Sequence, residues 1–119
     1  MTDKYYNKNG DVAVLISKDY GGGWSTWNSD YAEEMVFDKD IVKIILDNPI
    51  RPETILRLRP EDYDKVKEIC KTKYPKAYVD GMDDCLTVEW LKPGTEFMIH
   101  EYDGSESIWT AEDIKKYIA

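Results

Sequence analysis

The pattern of apolar and polar positions predicts strands and helices in alternation along the first half of the chain. Val12–Ser17 is a short apolar run rich in β-branched residues, typical of a strand buried on both faces. A short helical turn is predicted over 31–35. Asp38 can then cap a helix over Lys39–Asp47, whose apolar residues lie almost all round it, so we expect this helix at the centre of the core. The composition of 54–58 favours a second strand.

The second half of the chain predicts a helix, a hairpin and a final helix. Pro60 is well placed as the first residue of a helix over 61–73, which has acidic residues in its first turn and lysines in its last. Apolar and polar residues alternate over 85–91 and 96–102, and the Pro-Gly turn between these segments indicates a β-hairpin with one apolar and one acidic face. A capping-box pattern predicts a helix over 111–118.

This order of elements predicts an α+β fold, with one small mixed or antiparallel sheet that includes a C-terminal β-hairpin and is packed by three to four helices. The chain has 119 residues, a length that fits one domain spanning 1–119. We expect the apolar face of the hairpin to be buried against the helix over 39–47. The residues of this predicted core are Leu86, Val88, Trp90, Phe97 and Ile99 from the hairpin and Ile41, Ile44 and Ile45 from the helix.

Composition and cysteine usage predict a cytoplasmic protein. No apolar run approaches the roughly 18 residues needed to cross a bilayer, and the first residues do not have a signal-peptide pattern. Cys70 and Cys85 each lie in an apolar periodic stretch, so both are expected to be reduced and buried.

Negative charge is concentrated in one segment. Residues 80–113 contain ten carboxylates, a single lysine (Lys92) and no arginine, which gives a local charge of −9, with His100 neutral, in a chain of net charge −8. The ten are Asp80, Asp83, Asp84, Glu89, Glu96, Glu101, Asp103, Glu106, Glu112 and Asp113. Such a field repels nucleic acid and attracts a basic protein surface, although the same charge also serves solubility.

Five of these acids form the predicted binding surface: Glu89, Glu96, Glu101, Asp103 and Glu106. They are expected to be largely exposed, because they lie on the polar phase of the hairpin or follow its end. Glu101 is the exception in this set, since it shares the phase of Phe97 and could turn toward Arg57 or Arg59.

The glycine-rich loop supplies a second candidate site. Gly21, Gly22 and Gly23 follow a predicted strand, but Trp24 occupies the position where a phosphate-binding loop needs a lysine. Trp24 and Trp27 could fold back onto the core as lids, or they could be interface anchors or stack on a ligand.

Two arginines form a predicted anion-binding site that could include this loop. Arg57 and Arg59 would point to the same face of a strand over 54–58 and could together hold a phosphate or carboxylate. The alternative is that they pair with the abundant acids of the chain. With Gly22 and Gly23, these arginines define a predicted site for a small anionic ligand such as a nucleotide.

Catalytic and metal-binding patterns are not found in the sequence. His100 is the only histidine, and neither a Gly-x-Ser-x-Gly nor a His-Glu-x-x-His motif occurs. The Asp- and Gly-rich segments near 80 and 103 do not have the EF-hand spacing and are typical of turns. The chain is therefore expected not to be an enzyme and to need neither a metal nor a cofactor.

Two segments carry a resemblance to a known group of proteins. YGGGWSTWN at 20–28 and GTEFMIHEYDGSES at 94–107 resemble a family of small uncharacterised proteins of bacteriophages and prophages. The resemblance implies an accessory protein in the cytoplasm of the bacterial host and brings no catalytic residue. Combined with the acidic segment, it favours a protein that binds a host protein with a basic surface, such as a nucleic-acid-binding defence enzyme, and binds neither nucleic acid nor membrane.

Overall fold

The computed structural model describes residues 3–18, 22–48, 56–79 and 86–111, and these residues form four strands and three α-helices. In chain order the elements are β1 (Val12–Ser17), α1 (Ala32–Val36), α2 (Lys39–Asp47), α3 (Tyr63–Lys73), β2 (Leu86–Leu91), β3 (Phe97–Tyr102) and β4 (Ser105–Thr110). Short 3₁₀ helices occupy Ser25–Trp27, Ser29–Tyr31 and Pro60–Asp62. The predicted α+β class with a C-terminal hairpin is confirmed.

β1 lies in the middle of the fold. It pairs with β2 in an antiparallel sheet, and all six of its residues are buried, as the sequence predicted. Because neighbouring side chains on a strand point to opposite faces, Leu15 packs with residues of α2 and α3, whereas Val14 and Ile16 pack with residues of β3 and β4. The sheet is therefore covered by helices on one side and by a hairpin on the other.

The two longer helices form where they were predicted. α2 begins after Asp38, whose carboxylate accepts a hydrogen bond of 3.0 Å from the backbone N–H of Ile41 and so caps the helix. α2 buries Ile41 and Ile45 toward the sheet, and α3 adds Val66 and Cys70 to the same core. The helix predicted over 61–73 is present, with its first turn formed as a 3₁₀ helix.

The predicted pairing of the hairpin is wrong. β2 pairs with β1, and the C-terminal hairpin is formed by β3 and β4, with Tyr102 opposite Ser105. The turn predicted after β2 does form, since the N–H of Thr95 bonds the carbonyl of Lys92 at 3.1 Å. This turn directs the chain into a second layer and does not fold β3 back onto β2.

The predicted core is divided between two clusters for the same reason. Leu86 and Val88 are buried with Ile41 and Ile45 as expected, and Trp90 packs against this cluster. Phe97 and Ile99 belong to the other cluster, on the opposite face of the sheet, and are only partly buried. Helix α2 therefore does not cover them.

The second predicted strand is present in part. Residues 51–55 lie outside the described part of the chain, but the segment after them runs along the free edge of β2. Leu58 donates its N–H to the carbonyl of Leu86 at 2.8 Å, and the N–H of Val88 bonds the carbonyl of Leu56 at 2.8 Å. Arg57 forms the single β-bridge of this segment, with Thr87.

Other predictions fall wholly or partly outside the described residues. Cys85 and all of the helix predicted over 111–118 except Ala111 lie there. Cys70 is a free thiol, and its burial, with Asp38 nearby, raises its pKa to about 12. None of the described helices has the length and apolar character needed to cross a membrane.

Candidate functional site

The hairpin of β3 and β4 has an inner and an outer face. Its two-residue turn, Asp103 and Gly104, has positive φ angles of 50° and 88°, which is the signature of a type I′ turn. On the inner face, Phe97, Ile99 and Ile108 pack against the cluster that contains Val14 and Ile16 of β1. The opposite face is turned away from this cluster.

We call this opposite side the outer hairpin face. Its residues are Met98, His100, Tyr102, Ser105, Ser107 and Trp109, which form three cross-strand pairs. The exposed fractions of Met98 and Tyr102 are 51% and 70%. The His100 ring stacks on Trp109, with centroids 4.4 Å apart and planes 6° from parallel. An exposed sheet surface thus carries several large side chains.

The full charges that the hairpin itself contributes to this face are acidic. Residues 95–111 contain four carboxylates and neither Lys nor Arg. Glu96 is exposed at the open end of the hairpin, and Asp103 is exposed in its turn. The predicted exposure of these two residues is confirmed.

Glu106 does not belong to an exposed surface, and that prediction is wrong. Its exposed fraction is 2%. One carboxylate oxygen accepts the N–H of Ser17 at 2.9 Å, and the other accepts the N–H groups of Trp24 and Thr26 at 2.8 and 3.2 Å. The hydroxyl of Thr26 donates to the same oxygen as these two. Because Glu106 has the phase of the inner face, it points into the protein, where these donors replace water.

Glu101 and Glu89 also have internal partners. Glu101 accepts the N–H of Gly104 at 2.8 Å. This bond, together with one from the side chain of Trp27, lowers the pKa of Glu101, so the carboxylate binds its own turn and not the arginines. Glu89 forms an ion pair of 2.8 Å with Lys18 and stays partly exposed.

The two tryptophans of the glycine-rich loop have different roles. Trp24 is fully buried, and its indole N–H donates to the carbonyl of Met35 at 2.7 Å. Trp27 has an exposed fraction of 39% and lies against Tyr78, with ring centroids 5.7 Å apart. Trp24 is thus the lid on the core, and only Trp27 remains available to a partner.

In the described part of the glycine-rich loop, backbone groups form hydrogen bonds with other residues of the protein. The carbonyl of Gly22 accepts the hydroxyl of Ser17 at 2.6 Å. A Cβ atom on Gly23 would lie 2.6 Å from the ring of Trp27 and 2.8 Å from the hydroxyl of Thr26. The loop does bind an anion through its backbone, as such loops can, but this anion is the carboxylate of Glu106.

The predicted arginine grip is not formed as a free pair. Arg59 donates to Asp62 at 2.9 Å and lies 3.9 Å from Glu61. The hydrogen bond from Arg59 lowers the pKa of Asp62. Arg59 therefore pairs with acids of the chain, which was the alternative interpretation, and Arg57 lies partly buried beside β2.

A polar cluster that the sequence did not reveal surrounds Asp38. Its carboxylate accepts the hydroxyl of Tyr74 at 2.6 Å and the ammonium of Lys73 at 3.1 Å, in addition to capping α2. Burial and the hydrogen bond to Asp38 raise the pKa of Tyr74, so this phenol is a poor acid. The cluster is internally satisfied, and no group of His, Cys, Asp and Glu in the described ranges is arranged to hold a metal ion.

Comparisons of this chain with family models, curated proteins and solved structures found no match. The most distinctive surface of the described residues is the outer hairpin face. The sequence patterns did not predict that its large side chains lie together. The signal for it was the Asp-Gly turn after β3, a strong marker of a two-residue hairpin.

Proposed function

We propose that this protein is a binding protein whose outer hairpin face docks on a basic surface of another protein. The observation that carries the proposal is the exposure of Met98 and Tyr102 beside the stacked His100 and Trp109, on a sheet face turned away from the core. Aromatic residues and methionine are enriched at protein interfaces, and aromatic side chains bury an especially large area there.

Acids at the two ends of the face favour a basic partner. Glu96 and Asp103 are exposed there, in a chain of net charge −8. Charges at the rim of an interface act mainly on the association rate and on the choice of partner. The large side chains would supply most of the affinity, and the acids would select a positively charged surface.

The resemblance to bacteriophage and prophage proteins gives this proposal a biological setting. Such a protein would act in the bacterial cytoplasm on a host protein. A nucleic-acid-binding defence enzyme would have the basic groove that an acidic hairpin can occupy, and occupation of that groove would inhibit the enzyme.

A small anionic ligand is the less well supported alternative. Its predicted site depended on Gly22, Gly23, Arg57 and Arg59. The backbone N–H groups of Trp24 and Thr26 in this loop already donate to Glu106. Arg59 forms an ion pair with Asp62. A nucleotide would have to displace a buried carboxylate that already has several hydrogen bonds.

Site-specific photocrosslinking in a bacterial host tests the proposal. Benzoylphenylalanine would replace Tyr102 in one variant and Tyr6 in the other. Tyr6 is a matched control, because it is also a well exposed tyrosine (54%) and lies outside the hairpin. We expect one basic host protein to be crosslinked from position 102 and not from position 6. Equal crosslinking from both positions, or none from either, would contradict the proposal.

Removal or reversal of charge in the purified pair tests the role of the acids. Glu96→Lys with Asp103→Asn should slow association, and the effect should shrink as salt is raised. Asparagine removes the charge of Asp103 and tolerates its positive φ. Asp64→Asn with Glu68→Lys is the control, because it makes the same change in net charge on exposed positions of α3. An equal loss in the control would mean that net charge and not the outer hairpin face controls association.

A further inference from the structure

The hairpin has an edge that no described strand covers. β3 is bonded to β4 on one side, and no backbone hydrogen bond joins it to another strand within the described ranges. In a hairpin closed by a two-residue turn, the pair that flanks the turn is the hydrogen-bonded pair, and such pairs alternate along the ladder. The backbone groups of three β3 residues therefore form hydrogen bonds with β4, and these residues are Met98, His100 and Tyr102.

The alternate residues of β3 face away from β4 with their backbone groups. These are Phe97, Ile99 and Glu101, whose N–H and C=O groups point to the open edge. A row of such groups is a template for another strand.

A groove runs along this edge. A cavity of about 270 Å³ lies between β3 and the segment that leads into α1. Its lining includes three consecutive residues of β3: Phe97, Met98 and Ile99. Consecutive side chains of a strand point to opposite faces, so all three residues border one cavity when it lies along the edge of the strand. The opposite wall includes Thr26, Ala32 and Val36.

The position and charge of the groove favour an extended basic peptide. The groove follows the edge of a strand, and its described lining is mostly apolar. Among the described residues that line this cavity, Glu33 alone is charged. The adjoining cavity of about 220 Å³ lies at the open end of the hairpin, and Glu96 is the one charged member of its described lining.

We propose that the partner adds an extended peptide segment to the open edge of β3, with apolar side chains in the groove and lysine or arginine side chains near Glu33 and Glu96. This inference rests on the proposed function and specifies how the partner docks. Strand addition gives affinity through backbone hydrogen bonds and specificity through alternate side chains. The acidic lining selects a basic segment.

Synthetic peptides of about seven residues, in which valine and lysine alternate, provide the direct test. Binding would be followed by nuclear magnetic resonance of the whole protein, with hydrogen exchange at the amides of Ile99 and Glu101 as the readout. We expect both amides to become protected when the peptide binds, because each gains an acceptor.

Two N-methylated peptides make the test specific for the edge. One carries methyl groups on the valine amides and the other on the lysine amides, so that composition and charge are matched. Only one set can face β3, and methylation of that set should weaken binding by about tenfold or more, because several backbone bonds are lost. The valine set is expected for an antiparallel strand, which places residues of one face opposite each other. Equal affinity of both methylated peptides and the parent would overturn the inference.

Two variants of the protein test the groove. Glu33→Lys should weaken binding of the valine-lysine peptide, whereas Glu34→Lys, the same change on the neighbouring residue of α1, should have a smaller effect because Glu34 lines a different cavity. Equal effects would contradict the assigned groove, as would self-association that protects Ile99 without any peptide. If the peptide fails to bind while crosslinking from position 102 succeeds, the strand-addition inference is wrong and the proposed function stands.

Discussion

The carboxylate of Glu106 accepts a hydrogen bond of 2.9 Å from the backbone N–H of Ser17, which lies 89 positions earlier in the chain. The same side chain binds Trp24 and Thr26. One acidic residue of β4 therefore fastens the hairpin to the end of β1 and orders the loop that places Trp24 over the core. The free energy of the fold should depend strongly on it.

We expect Glu106→Gln to lower the free energy of unfolding by about 1–3 kcal/mol. The amide nitrogen would meet backbone donors where an oxygen now accepts them, and the charge-assisted bonds would be lost. Glu96→Gln on the same hairpin is the control and should change stability by less than about 0.5 kcal/mol, since Glu96 is exposed. Urea denaturation of both variants measures the difference, and equal midpoints would show that the Glu106 bonds add little.

Gly23→Ala should destabilise the protein by about 1–3 kcal/mol, as overpacking does. The new methyl group would lie within 2.9 Å of Trp27 and Thr26, so both side chains must move. Since Thr26 binds Glu106, the shift should also loosen the hairpin. Denaturant unfolding gives the stability change, and tryptophan fluorescence reports the displaced Trp27 ring. A variant as stable as the parent would mean that the ring has room to turn aside.

Alanine substitutions on the two faces of the hairpin should have different effects on stability. Phe97→Ala should lower the free energy of unfolding by about 1–3 kcal/mol, because Phe97 is only partly buried. Leu86→Ala in β2 should lower it by about 2–5 kcal/mol, because Leu86 is fully buried. Met98→Ala should leave stability within about 0.5 kcal/mol, since this side chain is half exposed. Chemical denaturation would reveal an error in the face assignment if Met98→Ala proved as costly as Phe97→Ala.

The pH dependence of stability should change when Arg59 is replaced. Arg59 holds the pKa of Asp62 below its ordinary value of 3.8. A lowered pKa contributes stability above the ordinary value, and this contribution is lost as the pH falls through the lowered one. Arg59→Met should therefore be destabilising near neutral pH, and the difference in stability from the parent should fade in strong acid.

Lys65→Met is the matched control for this measurement. Lys65 lies 3.4 Å from the other oxygen of Asp62 and is far more exposed than Arg59, so its loss should matter less. Denaturation midpoints of both variants between about pH 2 and pH 7 provide the comparison. A constant difference between Arg59→Met and the parent across that range would exclude Asp62 as the cause.

Local patterns were sufficient to predict several elements of the fold. The unbroken apolar run of β1 reflects a strand covered by two different layers. Asp38 predicted the start of α2, because a capping side chain accepts its hydrogen bond from an N–H only three residues later, here that of Ile41. Such signals depend on neighbours in sequence, which the sequence displays directly.

Strand pairing could not be read from the same patterns. The turn before Thr95 is real, but a turn fixes only the local direction of the chain. Pairing with β1 buries more apolar surface of β2 than pairing with β3 would, because it places Val88 beside Leu15 on the face that the helices cover. This pairing joins distant parts of the chain and is decided by burial.

The role of Glu106 was hidden for a related reason. Composition predicts that a carboxylate in an acidic segment is solvated. The donors that bury Glu106 belong to backbone more than 80 positions away at Ser17 and Trp24, and their arrangement exists only after the layers have assembled. The outer hairpin face was missed because no strand was predicted over Ser105–Thr110, which forms β4.

The alternation of the hairpin has an evolutionary consequence. Residues 97, 99, 106 and 108 attach the hairpin to the rest of the fold, whereas residues 98, 100, 102 and 107 are exposed on its outer side. Substitutions on the outer side can therefore accumulate at little cost to folding. A protein that must follow a changing target can revise its recognition residues one at a time and keep the same scaffold throughout.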